Sequence, residues 1–213
     1  MEYTLYFAEV FGHLNPGRER CAFYNCYQNG INDTMFIVIT GNGKGKTTAA
    51  IGQAIRAMGA GKRVFMIQFI KSDKYPSGED CVLNAFEPRI HFEKAGLGFV
   101  GILGDKLPLR KHKNAAQCAL KHAKDAMLAE NYDLIILDEI NVAMDLKLIS
   151  LEEAVAFVES IPEGKDVVFT GRHAHSEILA RADLITNCQD VWHPYHENAM
   201  TGERAAAKRG IEY

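Results

Sequence analysis

Two short stretches hold residues whose types and order could do chemistry. The first is Gly41-Asn42-Gly43-Lys44-Gly45-Lys46-Thr47-Thr48. Glycines let successive backbone N–H groups turn inward around an anion, and a helix starting there adds the positive end of its dipole. Lys46 is placed to neutralise phosphate charge, and the Thr47 hydroxyl is a ligand for Mg²⁺. The second stretch is Leu134-Ile135-Ile136-Leu137-Asp138-Glu139, an apolar run ending in two carboxylates. Where a phosphate-binding loop is present, a carboxylate in this position holds the metal directly or through water. Strand alternation sends Asp138 and Glu139 to opposite sides unless the chain turns, so one is expected on the metal and the other on backbone or a neighbour.

The loop departs from the common form of its motif. Only Asn42, Gly43 and Lys44 stand between Gly41 and Gly45, where four residues are usual. A shorter loop makes a smaller ring of N–H donors and must grip a phosphate chain differently.

The surrounding pattern supplies what would position these groups. Phe36–Ile39 is a short apolar run leading into the loop, as a buried parallel strand does. Thr47–Met58 follows as a helix closed by Gly59 and Gly61. Further strands are expected over Val64–Phe69, Ile90–Phe92, Leu134–Leu137, Val167–Phe169 and Leu184–Thr186. Helices are expected over Asp80–Phe86, Lys111–Glu130, Leu151–Ser160 and Ser176–Ala182, the third opened by a capping box of Ser150 and Glu153. Alternating strands and helices predict an α/β fold: a doubly wound, mostly parallel sheet of the P-loop NTPase (RecA-like) type, with helices on both faces. The nucleotide site then falls at the carboxyl ends of the first and fourth strands.

Composition limits the alternatives. A chain of 213 residues with 47% hydrophobic and 24% charged residues can bury one real core. A formal net charge of −3 gives no general attraction to nucleic acid or to anionic lipid. Five scattered cysteines without a CxxC pair read as reduced thiols. No apolar run approaches the ~18 residues of a membrane span, and no signal-peptide pattern opens the chain. A cytoplasmic protein is expected. Residues 1–34 stand apart from the 35–213 domain: they hold seven aromatics without a sustained period. They are either an extension or lid packed across the body or a neighbouring subunit, or a spurious stretch ahead of a true start at Met35.

From Met35 to Tyr213 the sequence resembles the P-loop type of ATP:corrinoid adenosyltransferase, whose substrates are corrinoids such as cob(I)alamin and cob(I)yrinic acid a,c-diamide. The residues that carry the resemblance are the shortened loop Thr40–Ala50, Gln68-Phe69-Ile70-Lys71, Gly96-Leu97-Gly98-Phe99 and Leu137-Asp138-Glu139. Thr170-Gly171-Arg172, Ala182-Asp183-Leu184 and the ending Lys208–Tyr213 complete it. The resemblance implies ATP bound in reverse, with its terminal phosphate in the loop and ribose C5′ turned to the corrinoid. Cobalt reduced to Co(I) attacks C5′ and the triphosphate leaves. It further implies that Gly43 to Thr48 hold the triphosphate, with Thr47 and Glu139 on Mg²⁺ and Asp138 in support. Phe99 matches an aromatic that lies against the corrin and helps remove the lower cobalt ligand. An electron donor for Co(II) and a homodimer are also implied. The chain departs from the family where Phe99-Val100-Gly101 replaces Phe-Thr-Trp, which removes a second aromatic. The stretch between His193-Pro194-Tyr195 and Lys208 is also longer than usual.

Weaker signals remain. Arg172 follows a core strand at the ligand-binding edge, as a phosphate or corrinoid contact or as half of a structural salt bridge. Arg56 fits a solvated helix face better than a nucleotide contact, and Asn141 fits either the corrinoid side or a turn. His173, His175, Cys188, His193 and His196 lack zinc spacing and read as polar loop contacts. Two rival functions stay open: an ordinary P-loop ATPase or kinase that releases ADP, and a non-catalytic, ATP-dependent corrinoid carrier.

Overall fold

The computed structural model describes residues 34–98, 100–101, 104–193, 208 and 210–211. The aromatic N-terminal segment through residue 33, Phe99, Pro194, Tyr195, His196, Arg209, Glu212 and Tyr213 lie outside the described residues. Among the described residues six strands form one sheet: β1 (Phe36–Thr40), β2 (Val64–Gln68), β3 (Ile90–Lys94), β4 (Leu134–Asp138), β5 (Asp166–Thr170) and β6 (Leu184–Asn187). Their order is β3-β2-β4-β5-β1-β6, and every pairing is parallel. The sheet is therefore wholly parallel, where a mostly parallel one was expected.

The connecting helices are α1 (Lys46–Gly59), α2 (Glu79–Asn84), α3 (Leu109–Leu128), α4 (Ile140–Asp145), α5 (Leu151–Glu159) and α6 (Ser176–Leu179). They cover both faces because alternate strand residues point to opposite sides. Ile37, Ile39, Met66, Ile136 and Val168 pack with Ala50, Ala54 and Met58 of α1 and Leu83 of α2. Val38, Ile67, Ile135, Leu137 and Phe169 pack on the other face with Ala116, Ala123 and Met127 of α3 and Phe157 of α5. The small alanines of α1 and α3 let each helix lie close to the sheet. Truncating a fully buried residue such as Ile136 to alanine costs about 2–5 kcal/mol in such a core. Helix α5 opens with the expected capping box: Ser150 Oγ accepts from the Glu153 N–H at 3.1 Å, and Glu153 accepts from the Ser150 N–H at 2.8 Å.

This topology brings distant residues to one edge. Strand β5 lies between β1 and β4, so the loop after β1 and the acidic end of β4 are one strand apart. Gln68 pairs in register with Asp138, and Ile39 with Thr170. Thr40, Gln68, Asp138 and Thr170 thus end four neighbouring strands on the same side. All four are buried, in an interior that is otherwise mostly apolar.

Candidate nucleotide site

The loop turns from β1 into α1 through Gly41 (φ 101°) and Gly45 (φ 111°), two left-handed positions that suit glycine. Gly45 is the residue before α1, and no side chain caps that helix. The first N–H groups of a helix lack intrahelical partners, so this uncapped end is open to an anion. The loop is pressed against the chain leaving β6. Gly43 N–H donates to the Cys188 carbonyl at 2.7 Å, and Cys188 N–H donates to the Thr40 carbonyl at 2.8 Å. The approach is so close that a Cβ on Gly43 would sit 2.3 Å from the Gln189 carbonyl oxygen. The amide of Gly43 is thus engaged inside the protein, while Asn42 faces a cavity of about 400 Å³ shared with Asn187, Gln189 and Asp190.

Lys46 is buried, and its Nζ donates to the Gly43 carbonyl at 2.6 Å, which curls the amine back over the loop. Burial lowers its pKa, opposed by the nearby negative charge of Glu139. Lys44 donates to the Ile211 carbonyl, which brings Ile211 against the loop. Thr48 occupies the first turn of α1.

The acid cluster is built around Asp138, which is fully buried. Its Oδ1 accepts from the hydroxyls of Thr47 (2.9 Å) and Thr170 (2.7 Å), and its Oδ2 from Gln68 Nε2 (2.9 Å). Thr170 in turn accepts from the Glu139 N–H at 2.9 Å. Glu139 itself has φ 63°, a left-handed conformation that costs a non-glycine residue about 1–3 kcal/mol. That turn ends β4 and starts α4, so the two carboxylates do not follow simple strand alternation. Burial raises the pKa of Asp138. Burial, and then the charge of Asp138, raises that of Glu139, against the pull of Lys46, Lys71 and Arg172.

Mg²⁺ can be tested against this donor set. Hydroxyl and carboxylate oxygens suit a hard cation, and the Thr47 hydroxyl keeps its lone pairs while its proton goes to Asp138. Two buried acceptors, Gln68 Oε1 and Asn141 Oδ1, have no partner among the described residues. Gln68 is bonded to Asp138, and Asn141 is two residues beyond Glu139. Buried polar atoms left open in this way are costly, and the water shell of a Mg²⁺ ion supplies donors. The residues present fit the ion.

The sequence-predicted residues Gly41 to Thr48, Asp138 and Glu139 meet at one site. Arg172 lies near it: exposed, it forms no ion pair among the described residues, yet its charge is felt by Lys46 and Glu139. It sits between Gly171 (φ 126°) and His173 (φ 56°), so the backbone bends sharply on both sides of it. Arg56 is exposed on α1, and Asn141 is buried with its Nδ2 3.4 Å from the Gly171 carbonyl. His173 pairs with Asp145 at 3.0 Å, and His175 accepts from the Glu177 N–H at the start of α6. Among the described residues no group of three or more His, Cys, Asp or Glu side chains could hold a metal. Sequence reasoning assigned no role to Gln68, Lys71 or Thr170. For Gln68 and Thr170 the signal is a polar residue at the carboxyl end of an apolar strand, which gains meaning once the strands are ordered; Lys71 lies three residues beyond β2 and carries no such mark.

A wholly parallel sheet with a glycine-rich P-loop between β1 and α1, and with a hydroxyl-bonded Asp138 ending β4 just before Glu139, defines a P-loop α/β nucleotide-binding protein. Residues 32–213 match the family described as ATP:corrinoid adenosyltransferase BtuR/CobO/CobP, and the chain belongs to that family. It is 35% identical over 180 residues to the corrinoid adenosyltransferase of Escherichia coli K12, covering 84% of this chain and 85% of that protein. The Salmonella typhimurium LT2 corrinoid adenosyltransferase is likewise 35% identical, over 181 residues, with 84% and 85% covered. The Pseudomonas aeruginosa PAO1 corrinoid adenosyltransferase is 29% identical over 179 residues, with 84% and 83% covered. No helix among the described residues is long and apolar enough to cross a membrane.

Proposed function

We propose that this chain transfers the 5′-deoxyadenosyl group of ATP to the Co(I) of a corrinoid in adenosylcobalamin synthesis or salvage. The observation that carries the reading is the junction of the shortened loop with the acid cluster, through the Thr47–Asp138 hydrogen bond, in a member of this family. Lys44 to Thr48 hold the triphosphate at the uncapped start of α1, on a loop that Gly43 seats against Cys188, with Lys46 and Arg172 on its oxygens. Thr47 and Glu139 hold Mg²⁺, Asp138 orients Thr47 from behind, and the ion supplies positive charge against the phosphates.

The reaction needs little acid–base chemistry. The cobalt lone pair forms the Co–C bond as the C5′–O bond breaks, and the electrons of that bond leave on triphosphate. Co(I) is already a strong nucleophile, so the protein contributes by aligning C5′ and stabilising charge that grows on the leaving group. Withdrawing Lys46 from the Gly43 carbonyl and turning it to phosphate fits that task. Residues 35–213 form the catalytic domain, working in the cytoplasm as a homodimer supplied by a separate electron donor for Co(II).

The test is an anaerobic mixture of the protein, ATP, Mg²⁺ and chemically reduced cob(I)alamin, followed by its visible spectrum. A light-sensitive alkylcobalt product with equimolar triphosphate is expected. ADP with unchanged cobalt would return the chain to the ordinary ATPases. Bound corrinoid without turnover would make it a carrier.

A further inference from the structure

The residues on either side of Arg172 are both held by one short helix. Gly171 is buried and has φ 126°. His173 has φ 56°, a left-handed conformation that a non-glycine residue keeps only where its surroundings hold it. Asn141 Nδ2 donates to the Gly171 carbonyl at 3.4 Å, and His173 Nδ1 pairs with Asp145 Oδ2 at 3.0 Å. Asn141 and Asp145 are four residues apart on α4, so they share a face of that helix. One face of α4 therefore grips both neighbours of Arg172.

The grip at Gly171 is close. A Cβ there would sit 3.0 Å from Asn141 Cβ and 3.0 Å from the Val142 nitrogen, so a side chain would push the turn off the helix. The other side of the turn is tied to β1. Gly171 N–H donates to the Ile39 carbonyl at 3.2 Å, and Ala174 N–H donates to Thr40 Oγ1 at 3.4 Å. The turn is thus fixed between the strand that leads into the nucleotide loop and the helix that Glu139 opens. Arg172 itself is exposed, so the backbone beneath it, and not packing around it, decides where its guanidinium starts.

The two ends of the grip differ in weight. His173 and Asp145 are both exposed, and a pair in water contributes little. Asn141 is fully buried, and its Oδ1 has no partner among the described residues. A leucine has nearly the same shape and would bury no unpaired acceptor, so folding alone is better served by an apolar side chain at this position. What the amide adds is its donor to the Gly171 carbonyl.

We infer that Asn141 is a positioning residue for the reaction, setting the turn from which Arg172 reaches the phosphates. The inference rests on the reading of Arg172 as a triphosphate contact. Because Asn141 acts through Arg172, its contribution vanishes where Arg172 is absent.

The experiment is a double-mutant cycle on the full-length chain, with Asn141→Leu, Arg172→Ala and the double variant. It is read as kcat/KM for ATP in the adenosylation of cob(I)alamin, and as Tm. Arg172→Ala is expected to lower kcat/KM about tenfold, as loss of a hydrogen bond to a charged group does. Asn141→Leu should lower it by about the same factor while its Tm stays within about 4 °C of wild type. Removing Arg172 from Asn141→Leu should then cost less than about twofold more. A further tenfold loss in the double variant would overturn the inference, and so would an Asn141→Leu protein with wild-type kcat/KM, whatever its Tm. Should Asn141→Leu fail to fold, Asn141→Ala is held to the same kinetic criteria. Loss of folding in both would assign Asn141 to the core alone and overturn the inference too. Arg172→Ala with wild-type kcat/KM would overturn the underlying reading of Arg172, whereas additive losses overturn only the positioning role.

Discussion

Replacing Gly43 with alanine tests how far catalysis depends on the close seat of the loop. The new Cβ would lie 2.3 Å from the Gln189 carbonyl oxygen, 2.5 Å from its carbon and 2.8 Å from the Cys188 oxygen. Ordinary contact begins at 3.4 Å, so the shortest approach is about 1.1 Å too close. The obstacles are backbone atoms, and no rotamer change relieves them. The loop must move by about that distance, which breaks the 2.7 Å bond from Gly43 N–H to Cys188. Overpacking of this kind costs about 1–3 kcal/mol. A shift near 1 Å in a positioned reactant costs on the order of a hundredfold in rate. Gly43→Ala should therefore lower kcat/KM for ATP about a hundredfold and lower Tm. The control is Gly52→Ala in α1, where a Cβ meets nothing within 4 Å and alanine should add about 0.5–1 kcal/mol of stability. Turnover and thermal unfolding of the two variants are compared side by side. A Gly43→Ala protein with wild-type kcat/KM would refute the account of the loop.

Three further outcomes follow from the site. Glu139→Gly relieves the left-handed strain at that position, so Tm should rise, by about 1 kcal/mol in stability, while Mg²⁺-dependent turnover is lost; a variant that keeps its Mg²⁺ dependence would remove Glu139 from the metal. The raised pKa values of Asp138 and Glu139 mean that the folded metal-free protein holds protons the unfolded chain has released. Their contribution to stability is therefore fully present below the ordinary carboxylate range and is lost as pH rises through the raised values. Mg²⁺ competes with those protons, so the Tm increase from Mg²⁺ and ATP should grow as pH rises from the ordinary carboxylate range through the raised values, and flatten in Glu139→Gln; a wild-type increase independent of pH would contradict the burial argument. Arg172→Ala should raise the KM for ATP or lower kcat by about tenfold, as loss of a charged hydrogen bond does, and kinetics unchanged for both substrates would exclude it from the site.

Much of this site was legible in sequence because its two motifs are local. The run Phe36–Ile39, the glycines at 41 and 45 and the start of α1 are contiguous, and so are Leu134–Leu137 and the acid pair. What was not legible arises between distant segments. Gln68 and Thr170 reach Asp138 across 70 and 32 residues, and only the strand order β2-β4-β5 brings them there. The grip on Gly43 comes from the backbone of Cys188, which leaves no mark in side-chain pattern. Helix α4 went unseen because it is one short turn-and-a-half of chain, entered by a left-handed glutamate where glycine or asparagine is the usual signal. The start of α3 was placed two residues late, since Leu109 and Arg110 precede the alanine pattern that marks the helix. The aromatics of residues 1–33 gave no period, and they lie outside the described residues.

The central claim is that the loop and the acid cluster hold triphosphate as a leaving group, so that the C5′–O bond breaks and no P–O bond does. ATP labelled with ¹⁸O in the bridge between C5′ and the α-phosphorus reports this directly. With the protein, Mg²⁺ and cob(I)alamin under anaerobic conditions, mass spectrometry should find all of the label in triphosphate and none in the adenosyl product. Label retained on an adenosine-containing product, in ADP or AMP, would mean attack at phosphorus and would contradict the account.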